Sequence, residues 1–265
     1  MSASAHRRLH DSKFLVGHWP LNGHAQDVSG HGNHGTWAGT AAYATGPFSG
    51  HQTASLDGKT QYMTVTDAAS LAFDTGEFSV SAMIHSPAGP TDVVGSILDK
   101  FDQTNKRGWA LNAGPVGSEG NTRRVEFIVN NGVSATIWTE RAAKLGEEAN
   151  IYSLAVYNGK LYGGTAANGK LYEWTSGANA TYDYELSAGH HHIVGVKAAS
   201  EVRLYIDGVL VASQASAAYD TDSLNTLLIG SGYVDLFCGY LSRGRVYGCA
   251  LTGDEVAALY EYDTR

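Results

Sequence analysis

The fold class is indicated most clearly by the stretch Val202-Arg-Leu-Tyr-Ile-Asp-Gly-Val-Leu-Val-Ala212. It carries two short apolar runs on either side of an Asp-Gly pair. Both runs are rich in β-branched residues, which favour extended strands. Asp207 and Gly208 form the dipeptide that two-residue hairpin turns prefer, since both central positions of such a turn need a positive φ. The stretch therefore predicts an antiparallel β-hairpin.

Similar runs recur along the chain, separated by clusters of Gly, Asn, Asp and Ser. Examples are Phe78–Ile84, Val125–Val129, Ile193–Val196 and Thr226–Gly230. The 265 residues include 32 glycines and 15 tyrosines but only 3 methionines, which favours short strands and tight turns over long helices. Many short strands with regular turn signals are typical of a β-sandwich or barrel. We predict an all-β protein.

A pentapeptide repeat interrupts this pattern, because Asn158-Gly-Lys-Leu-Tyr162 recurs as Asn168-Gly-Lys-Leu-Tyr172. Each copy places an Asn-Gly turn before an apolar-aromatic strand, and two copies are too few for a solenoid or propeller. We therefore predict one or two extra hairpins inserted in the sandwich over about residues 147–187.

Two further local signals are a turn and a helix start. Leu56-Asp57-Gly58-Lys59 before Tyr62–Val65 predicts a second hairpin of the same kind. Thr252-Gly-Asp-Glu255 has the spacing of a capping box, and apolar residues follow it on one helical face. A short C-terminal helix is therefore expected.

Composition and charge narrow the function classes. A hydrophobic content of 43% excludes disorder along the whole chain, and a net charge of −8 disfavours nonspecific binding to nucleic acid or anionic lipid. We therefore expect neither a nucleic-acid partner nor membrane insertion.

Residues 1–13 are polar and aperiodic, without an apolar run for a signal peptide, so we predict an arm before a domain at 14–265. Cys238 and Cys249 are interpreted as buried thiols, with a disulfide as the alternative.

Five sequence blocks follow one another between about Leu15 and Tyr260. They comprise an opening strand with its glycine-rich loop, the Ser-Leu-Asp-Gly turn, an apolar strand, the hairpin already quoted and the last strand before the helix. The blocks are Val16–Leu21 with Asp27–Gly35, Ala54–Gly58 through Val65, His191–Val196, Val202–Gly208, and Gly239–Leu251. Together they resemble the laminin-G-like branch of the concanavalin A-like lectin/glucanase superfamily.

The resemblance implies a two-sheet antiparallel jelly-roll sandwich. It does not fix the activity, because this fold hosts lectins, adhesion modules and enzymes. The chain also departs from the family pattern. His190 stands where the family has a tryptophan, and Ser242 and Arg243 replace an expected acidic pair.

The resemblance also suggests calcium, which many domains of this family bind. Ca²⁺ needs six to eight oxygen ligands, and Asp27 and Asn33 on the glycine-rich loop would supply a carboxylate and an amide oxygen. The alternative is that both residues hydrogen-bond their own backbone in a turn. No other cofactor is indicated. The adjacent His190, His191 and His192 cannot converge on one ion, since strand residues alternate between faces.

Sugar recognition needs a flat aromatic face and a few amides or carboxylates. The insertion is rich in both, so we predict a glycan-binding or interface site there; packing of the rings across the hairpins is the alternative. The candidate residues are Tyr157, Tyr162, Tyr172, Trp174, Asn158 and Asn168.

These observations predict a non-enzymatic glycan-binding or adhesion module whose partner is a glycan or polysaccharide. No catalytic residue is assigned, because the closest acidic pair, Glu261 and Asp263, follows the helix at the chain end. A virion surface, tail or decoration protein would need no export signal, so a virion or extracellular surface is the expected location, with residues 1–13 docking on capsid or tail proteins. A purely structural decoration protein and a polysaccharide lyase or glycoside hydrolase remain the alternatives.

Overall fold

The computed structural model describes thirteen parts of the chain. They are residues 9–45, 51–86, 95–114, 124–132, 137–140, 153–157, 160–164, 171–175, 178–182, 184, 186–216, 220–232 and 234–264. Its elements in chain order are β1 (Leu15–Trp19), β2 (Gly35–Ala38), β3 (Tyr43–Thr45), β4 (Gln52–Asp57), β5 (Tyr62–Val65), a 3₁₀ turn (Ala69–Leu71), β6 (Phe78–Ser86), β7 (Gly95–Asp102), β8 (Arg107–Ala113), β9 (Val125–Asn131), β10 (Ile137–Glu140), β11 (Ser153–Tyr157), β12 (Lys160–Gly164), β13 (Leu171–Thr175), β14 (Ala178–Tyr182), β15 (Gly189–Lys197), β16 (Glu201–Ile206), β17 (Val209–Ala215), β18 (Leu227–Ile229), β19 (Cys238–Tyr247) and the helix α1 (Gly253–Asp263).

Two antiparallel sheets form the sandwich and confirm the predicted fold class. The first sheet has the order β17-β16-β15-β6-β19-β4-β3, with β1 beside β19, and the second has the order β14-β9-β8-β7-β18-β5-β2. Apolar side chains at alternate positions of both sheets meet in a single core, as the two-residue period of a strand requires. Trp19, Phe78, Trp109, Phe127 and Phe237 are its largest aromatic side chains, and all five are fully buried.

The hairpin predicted at Asp207–Gly208 is confirmed, and the one predicted at Asp57–Gly58 is wrong. β16 and β17 pair across Asp207 and Gly208, whose φ angles are +51° and +79°, as a two-residue turn requires. β4 and β5 instead belong to different sheets. The Asp57 carboxylate accepts hydrogen bonds from the backbone N–H groups of the next turn, at residues 59 to 61, so this loop carries the chain from one sheet to the other.

The insertion is a separate four-stranded antiparallel sheet with the order β10-β13-β12-β11, called the inserted sheet below. It contains the two hairpin pairings that the Asn-Gly repeat predicted, β11 with β12 and β12 with β13. Its limits differ from the predicted 147–187. β10 joins the sheet from before residue 147, whereas β14 pairs with β9 in the sandwich, so residues 178–182 are not part of the insertion.

The outer face of the first sheet is covered by α1 and by the segment before β1. The capping box is confirmed: the Thr252 hydroxyl accepts from the Glu255 N–H, and the Glu255 carboxylate accepts from the Thr252 N–H. Val256 and Leu259 pack on this face in one cluster with Leu9, which is 1% exposed. The predicted arm is therefore shorter than proposed, because burial of Leu9 attaches residues 9–13 to the domain; residues 1–8 lie outside the described residues.

Both cysteines are half-buried thiols without a disulfide between them. Among the described residues, no helix is both long enough and apolar enough to cross a membrane.

Candidate functional site

A polar cavity of about 360 Å³ opens beside the C-terminal end of α1, over the outer face of the first sheet. Strands β1, β4 and β19, the two loops at their ends and the last turn of the helix contribute to it. Its lining residues are His18, Pro20, Asn22, His51, Gln52, Thr53, Ser242, Arg243, Arg245 and Tyr262.

The floor of the cavity follows from strand register. Arg245 lies opposite His18 of β1 on one side and opposite Ser81 of β6 on the other. Residues in register on neighbouring strands lie on the same face of a sheet. His18, Arg245 and Ser81 therefore form a polar row on the outer face, whereas the inner face of the same strands packs in the apolar core. The sequence thus places a charged group on a face that helix α1 covers.

A β-bulge in β19 shapes one wall of the cavity. The pairing of β19 with β6 shifts between Ser242 and Arg245, and Arg243 within this bulge has a φ of +50°. A positive φ is rare for a residue with a long side chain, and bulges re-aim side chains next to functional sites. The Arg243 N–H donates to the carbonyl of Pro20 at 3.2 Å, which fixes the bulge against the loop after β1.

A buried ion pair closes the deep side of the cavity. The guanidinium of Arg245 donates two hydrogen bonds to the Asp263 carboxylate, at 2.6 and 2.8 Å, and both side chains are almost completely buried. Burial alone would raise the pKa of Asp263, but the charge and hydrogen bonds of Arg245 outweigh it and hold that pKa below its usual value. The carboxylate and guanidinium therefore stay charged and fasten the end of α1 to β19.

Two histidines beside this pair are neutral at pH 7. Burial, reinforced by the charge of Arg245, lowers the pKa of His18 to about 3. Burial also lowers the pKa of His192 to about 4, although the nearby Asp263 carboxylate opposes the shift. Positive charge in the cavity therefore comes from arginine and not from these imidazoles.

Amide groups and an aromatic ring form the rim. The Asn22 side-chain oxygen accepts from the Gln52 N–H at 2.8 Å, and the Asn22 amide nitrogen lies 3.4 Å from Nδ1 of His51. Tyr262, the penultimate residue of α1, is 46% exposed, and the His10 ring packs edge-on against it with 5.0 Å between centroids. The rim thus offers a flat ring beside amide groups.

Two buried hydroxyls on the floor have no hydrogen-bond partner in the described part of the chain. They are Ser242 Oγ and Thr53 Oγ1, on side chains that are 3% and 0% exposed. A buried hydroxyl is normally paired, because leaving it unpaired costs about 1–3 kcal/mol. Both residues line the cavity, but the two oxygen atoms themselves are not accessible to solvent.

The aromatic residues predicted as a binding site lie on three strands of the inserted sheet. Tyr157 is in β11, Tyr162 is in β12, and Tyr172 and Trp174 are in β13. Trp174 is in register with Trp138 of β10, a partner that the prediction did not include. The two asparagines of the predicted site, Asn158 and Asn168, lie outside the described residues.

The loop predicted to bind calcium is organised by its own hydrogen bonds. The Asp27 carboxylate accepts from the backbone N–H groups of His18, Ser29 and Asn33 and from the Ser29 hydroxyl, all at 2.8–2.9 Å. The Asn33 amide nitrogen donates to the carbonyl of Val16 at 2.8 Å. These contacts are those of the turn alternative, and calcium binding by Asp27 and Asn33 stays a prediction. Within the described residues, no group of three or more His, Cys, Asp or Glu side chains could hold a metal ion.

A Ser-His-Asp arrangement that the sequence did not indicate lies at the start of β15. His191 Nδ1 is 2.8 Å from Asp207 Oδ2, and Nε2 is 3.1 Å from Ser187 Oγ. However, Nε2 is also 3.0 Å from the carbonyl oxygen of Ser187, which can only accept a hydrogen bond. These contacts hold the His191 ring between the hairpin turn at Asp207 and the loop before β15, and so fasten that loop to the sheet.

The cavity itself was missed by sequence reasoning. Its residues come from three distant parts of the chain, and in the sequence none of them belongs to a motif that indicates a binding site. The available signals were the departure from the family pattern at Ser242 and Arg243 and the acidic Asp263, which was set aside as a catalytic group and is the counterion of Arg245 in the structure.

Comparison with known proteins places the chain among lectin-like folds. A sequence model described as the concanavalin A-like lectin/glucanases superfamily matches residues 121–257. None of the curated proteins compared with the chain matches it.

Solved structures resemble the whole domain. The binding domain of Paraclostridial Mosquitocidal Protein 1 superposes with a TM-score of 0.62 and 14% identity over 95% of this chain and 52% of that one. Domain 4 of AbnA, an extracellular arabinanase from Geobacillus stearothermophilus, in complex with arabinotriose, superposes with a TM-score of 0.57 and 19% identity over 93% of this chain and 98% of that one. The botulinum neurotoxin DC binding domain in complex with SialylT superposes with a TM-score of 0.60 and 13% identity over 96% of this chain and 52% of that one. The chain thus spans about half of each toxin binding domain, and at these identities the likeness establishes the fold alone.

Proposed function

Because the chain belongs to the concanavalin A-like lectin/glucanases superfamily, we propose that it is a non-enzymatic glycan-binding module and that the polar cavity is its binding site. The fold alone does not assign this role, since the same sandwich carries binding modules and enzymes. The assignment depends on the side chains that the cavity presents.

The observation that carries the proposal is the combination of an exposed ring with hydrogen-bonding groups around one cavity. The face of Tyr262 offers an apolar platform for a pyranose ring, while Asn22 and Gln52 offer amides to its hydroxyls. The guanidinium of Arg243, whose side chain is partly exposed, adds a charged donor to the lining. A volume of about 360 Å³ is at the lower end of the range for ligand sites, which suits one sugar residue of a longer glycan.

Two of the structural neighbours support a sugar ligand by analogy. The arabinanase domain was solved with arabinotriose and the neurotoxin binding domain with SialylT. Both superpose over more than nine-tenths of this chain, so a sandwich of this form is compatible with glycan binding.

The absence of catalysis is part of the proposal. Glycoside hydrolysis needs two carboxyl groups on either side of the scissile bond. Asp263 is fully buried and is held by both amino groups of the Arg245 guanidinium, so it is not available to a substrate. The His191 ring contacts the Asp207 carboxylate through one nitrogen and the Ser187 carbonyl oxygen through the other, which suits a structural role.

A glycan array followed by calorimetric titration tests the proposal, with Gln52→Trp as the blocking variant. Gln52 is exposed at the rim, and an indole there would fill the cavity without removing a core contact. Gln26→Trp makes the same change on an exposed residue that does not line the cavity. We expect selective hits for the wild type and the control, and at least a tenfold weaker affinity for Gln52→Trp, about 1.4 kcal/mol or more.

Other outcomes would favour the remaining hypotheses. A silent array would contradict glycan binding and favour a structural decoration protein, and release of unsaturated or reducing-end products would favour a lyase or hydrolase. Binding that is unaffected by Gln52→Trp but lost in Trp174→Ala would move the site to the inserted sheet.

The virion location and the docking of residues 1–13 on capsid or tail proteins stay hypotheses, which a search for the protein in purified particles would test.

A further inference from the structure

Building on the proposed function, we propose that the cavity selects acidic sugars and that Arg243 binds their carboxylate or sulfate group. The inference concerns the ligand class and not the binding itself. It depends on the charge balance of the cavity, on the contacts of Arg243 and on the backbone that holds this residue in place.

The charge balance of the cavity is positive. Two guanidinium groups, those of Arg243 and Arg245, face one carboxylate, that of Asp263, which lies behind them. Among the described residues that line the cavity, none is acidic. This local balance contrasts with the net charge of −8 for the chain, so the cavity attracts an anion that most of the protein surface would repel.

The two arginines share Asp263 unequally. Arg245 takes both carboxylate oxygens in a bidentate pair, which neutralises its charge within the fold. Arg243 donates one hydrogen bond to the backbone carbonyl of Asp263, and its Nε is 3.8 Å from the carboxylate. A carbonyl oxygen carries no net charge, so the charge of Arg243 is the less compensated of the two.

Arg243 is also positioned to reach a ligand. Its side chain is 20% exposed, whereas that of Arg245 is 2% exposed. The guanidinium is a planar fork of donors that matches carboxylate or sulfate oxygens, and the bond to the Asp263 carbonyl leaves other N–H groups of the fork for such a ligand.

The backbone at Arg243 supports a role beyond packing. A φ of +50° in a bulge is an unfavourable conformation for arginine, and such strain persists where the surrounding structure enforces it. The bulge is held by the Pro20 carbonyl on one side and by the helix end on the other. Both Ser242 and Arg243, at the start of the bulge, line the cavity.

Paired glycans on an array test the inference. Each carboxylated glycan is printed beside a counterpart in which the carboxylate is reduced to an alcohol, and each sulfated glycan beside its desulfated form. We expect the wild type to bind at least one acidic glycan about tenfold or more above its neutral counterpart, since a charge-assisted pair is at stake. The two kinds of pair show whether the acidic group is a carboxylate or a sulfate.

Two variants, Arg243→Gln and Arg243→Lys, test whether Arg243 causes the preference for acidic over neutral glycans. Gln removes the charge, so the acidic and neutral members of a pair should bind equally, whereas Lys should keep part of the preference. Arg107→Gln is the matched control: Arg107 is also partly exposed and ion-paired, with Asp220, but lies on β8 in the second sheet. Thermal melting of each variant establishes that it is folded before binding is compared.

The outcomes separate this inference from the proposed function. If the wild type binds acidic and neutral members equally, the inference is wrong while glycan binding stands. If Arg243→Gln is folded and keeps the full preference, Arg243 is not the contact and the inference is again overturned. If the wild type binds no glycan of either kind, the proposed function itself fails.

Discussion

Replacing Asp263 by Asn should destabilise the protein severely, because it removes the only carboxylate that the structure places against Arg245 within the described residues. Arg245 is 2% exposed and cannot turn to water without displacing the end of α1. The amide can still accept one hydrogen bond, but its NH₂ group then faces the guanidinium. A buried guanidinium is left without a counterion in the variant.

The size of the effect follows from the burial of both groups. Breaking a buried ion pair by removing one partner costs about 3–5 kcal/mol, in contrast to about 0–1 kcal/mol for exposed pairs. For a domain of this size a loss of 1 kcal/mol lowers Tm by about 2–4 °C, so we expect Tm to fall by about 6–20 °C. The wild-type slope of the urea transition should be retained, since the surface exposed on unfolding hardly changes.

Urea and thermal unfolding, followed by tryptophan fluorescence, measure this effect. Glu261→Gln is the control, because it makes the equivalent change on an exposed residue two positions earlier on the same helix and should shift stability by less than about 0.5 kcal/mol. The double variant Arg245→Met with Asp263→Leu should recover much of the loss, because apolar residues remove both charges together. A fall of less than 2 °C for Asp263→Asn would refute the argument.

Three further predictions concern pH, packing and the helix cap. In the folded protein the pKa values of His18 and His192 are about 3 and about 4, below the unfolded value of 6.5. Their contribution to the free energy of unfolding is therefore fully present above pH 6.5. It should decrease as pH falls from 6.5 towards 4, by about 1.4 kcal/mol per pH unit for each histidine, because the unfolded chain binds the protons first. Urea unfolding at pH 7, 6 and 5 would contradict this if the free energy stayed constant. Gly195→Ala should cost about 1–3 kcal/mol, because its Cβ would lie 2.5 Å from the Phe127 ring in the core; an unchanged midpoint would show that the ring can move aside. Thr252→Ala should cost about 1 kcal/mol through loss of the helix cap, and equal thermal melting of variant and wild type would argue against the capping box.

Local sequence signals predicted the elements that local chemistry determines. The Asp207–Gly208 turn and the Thr252 cap each depend on backbone conformation and side chains within a few residues, and both are confirmed. The Asp57–Gly58 signal failed because turn chemistry does not specify which sheet the next strand joins. Likewise, Ala178–Tyr182 adjoins the repeat in sequence, yet its long-range pairing with β9 makes it part of the sandwich.

The cavity could not be predicted because its parts meet only through nonlocal strand order. β1 lies beside β19 across most of the length of the chain, and this pairing brings His18 next to Arg245. The bulge that presents Arg243 has no turn signature of its own, and the role of Asp263 depends on where the last turn of α1 docks. Composition instead directed attention to the tyrosines of the insertion, where aromatic density is visible in sequence.

A crystal structure of the protein with the strongest glycan from the array would show where the sugar binds. We expect a sugar ring against Tyr262, with its acidic group about 3 Å from the guanidinium of Arg243. A glycan seated on the inserted sheet, with the cavity holding only solvent, would contradict this expectation.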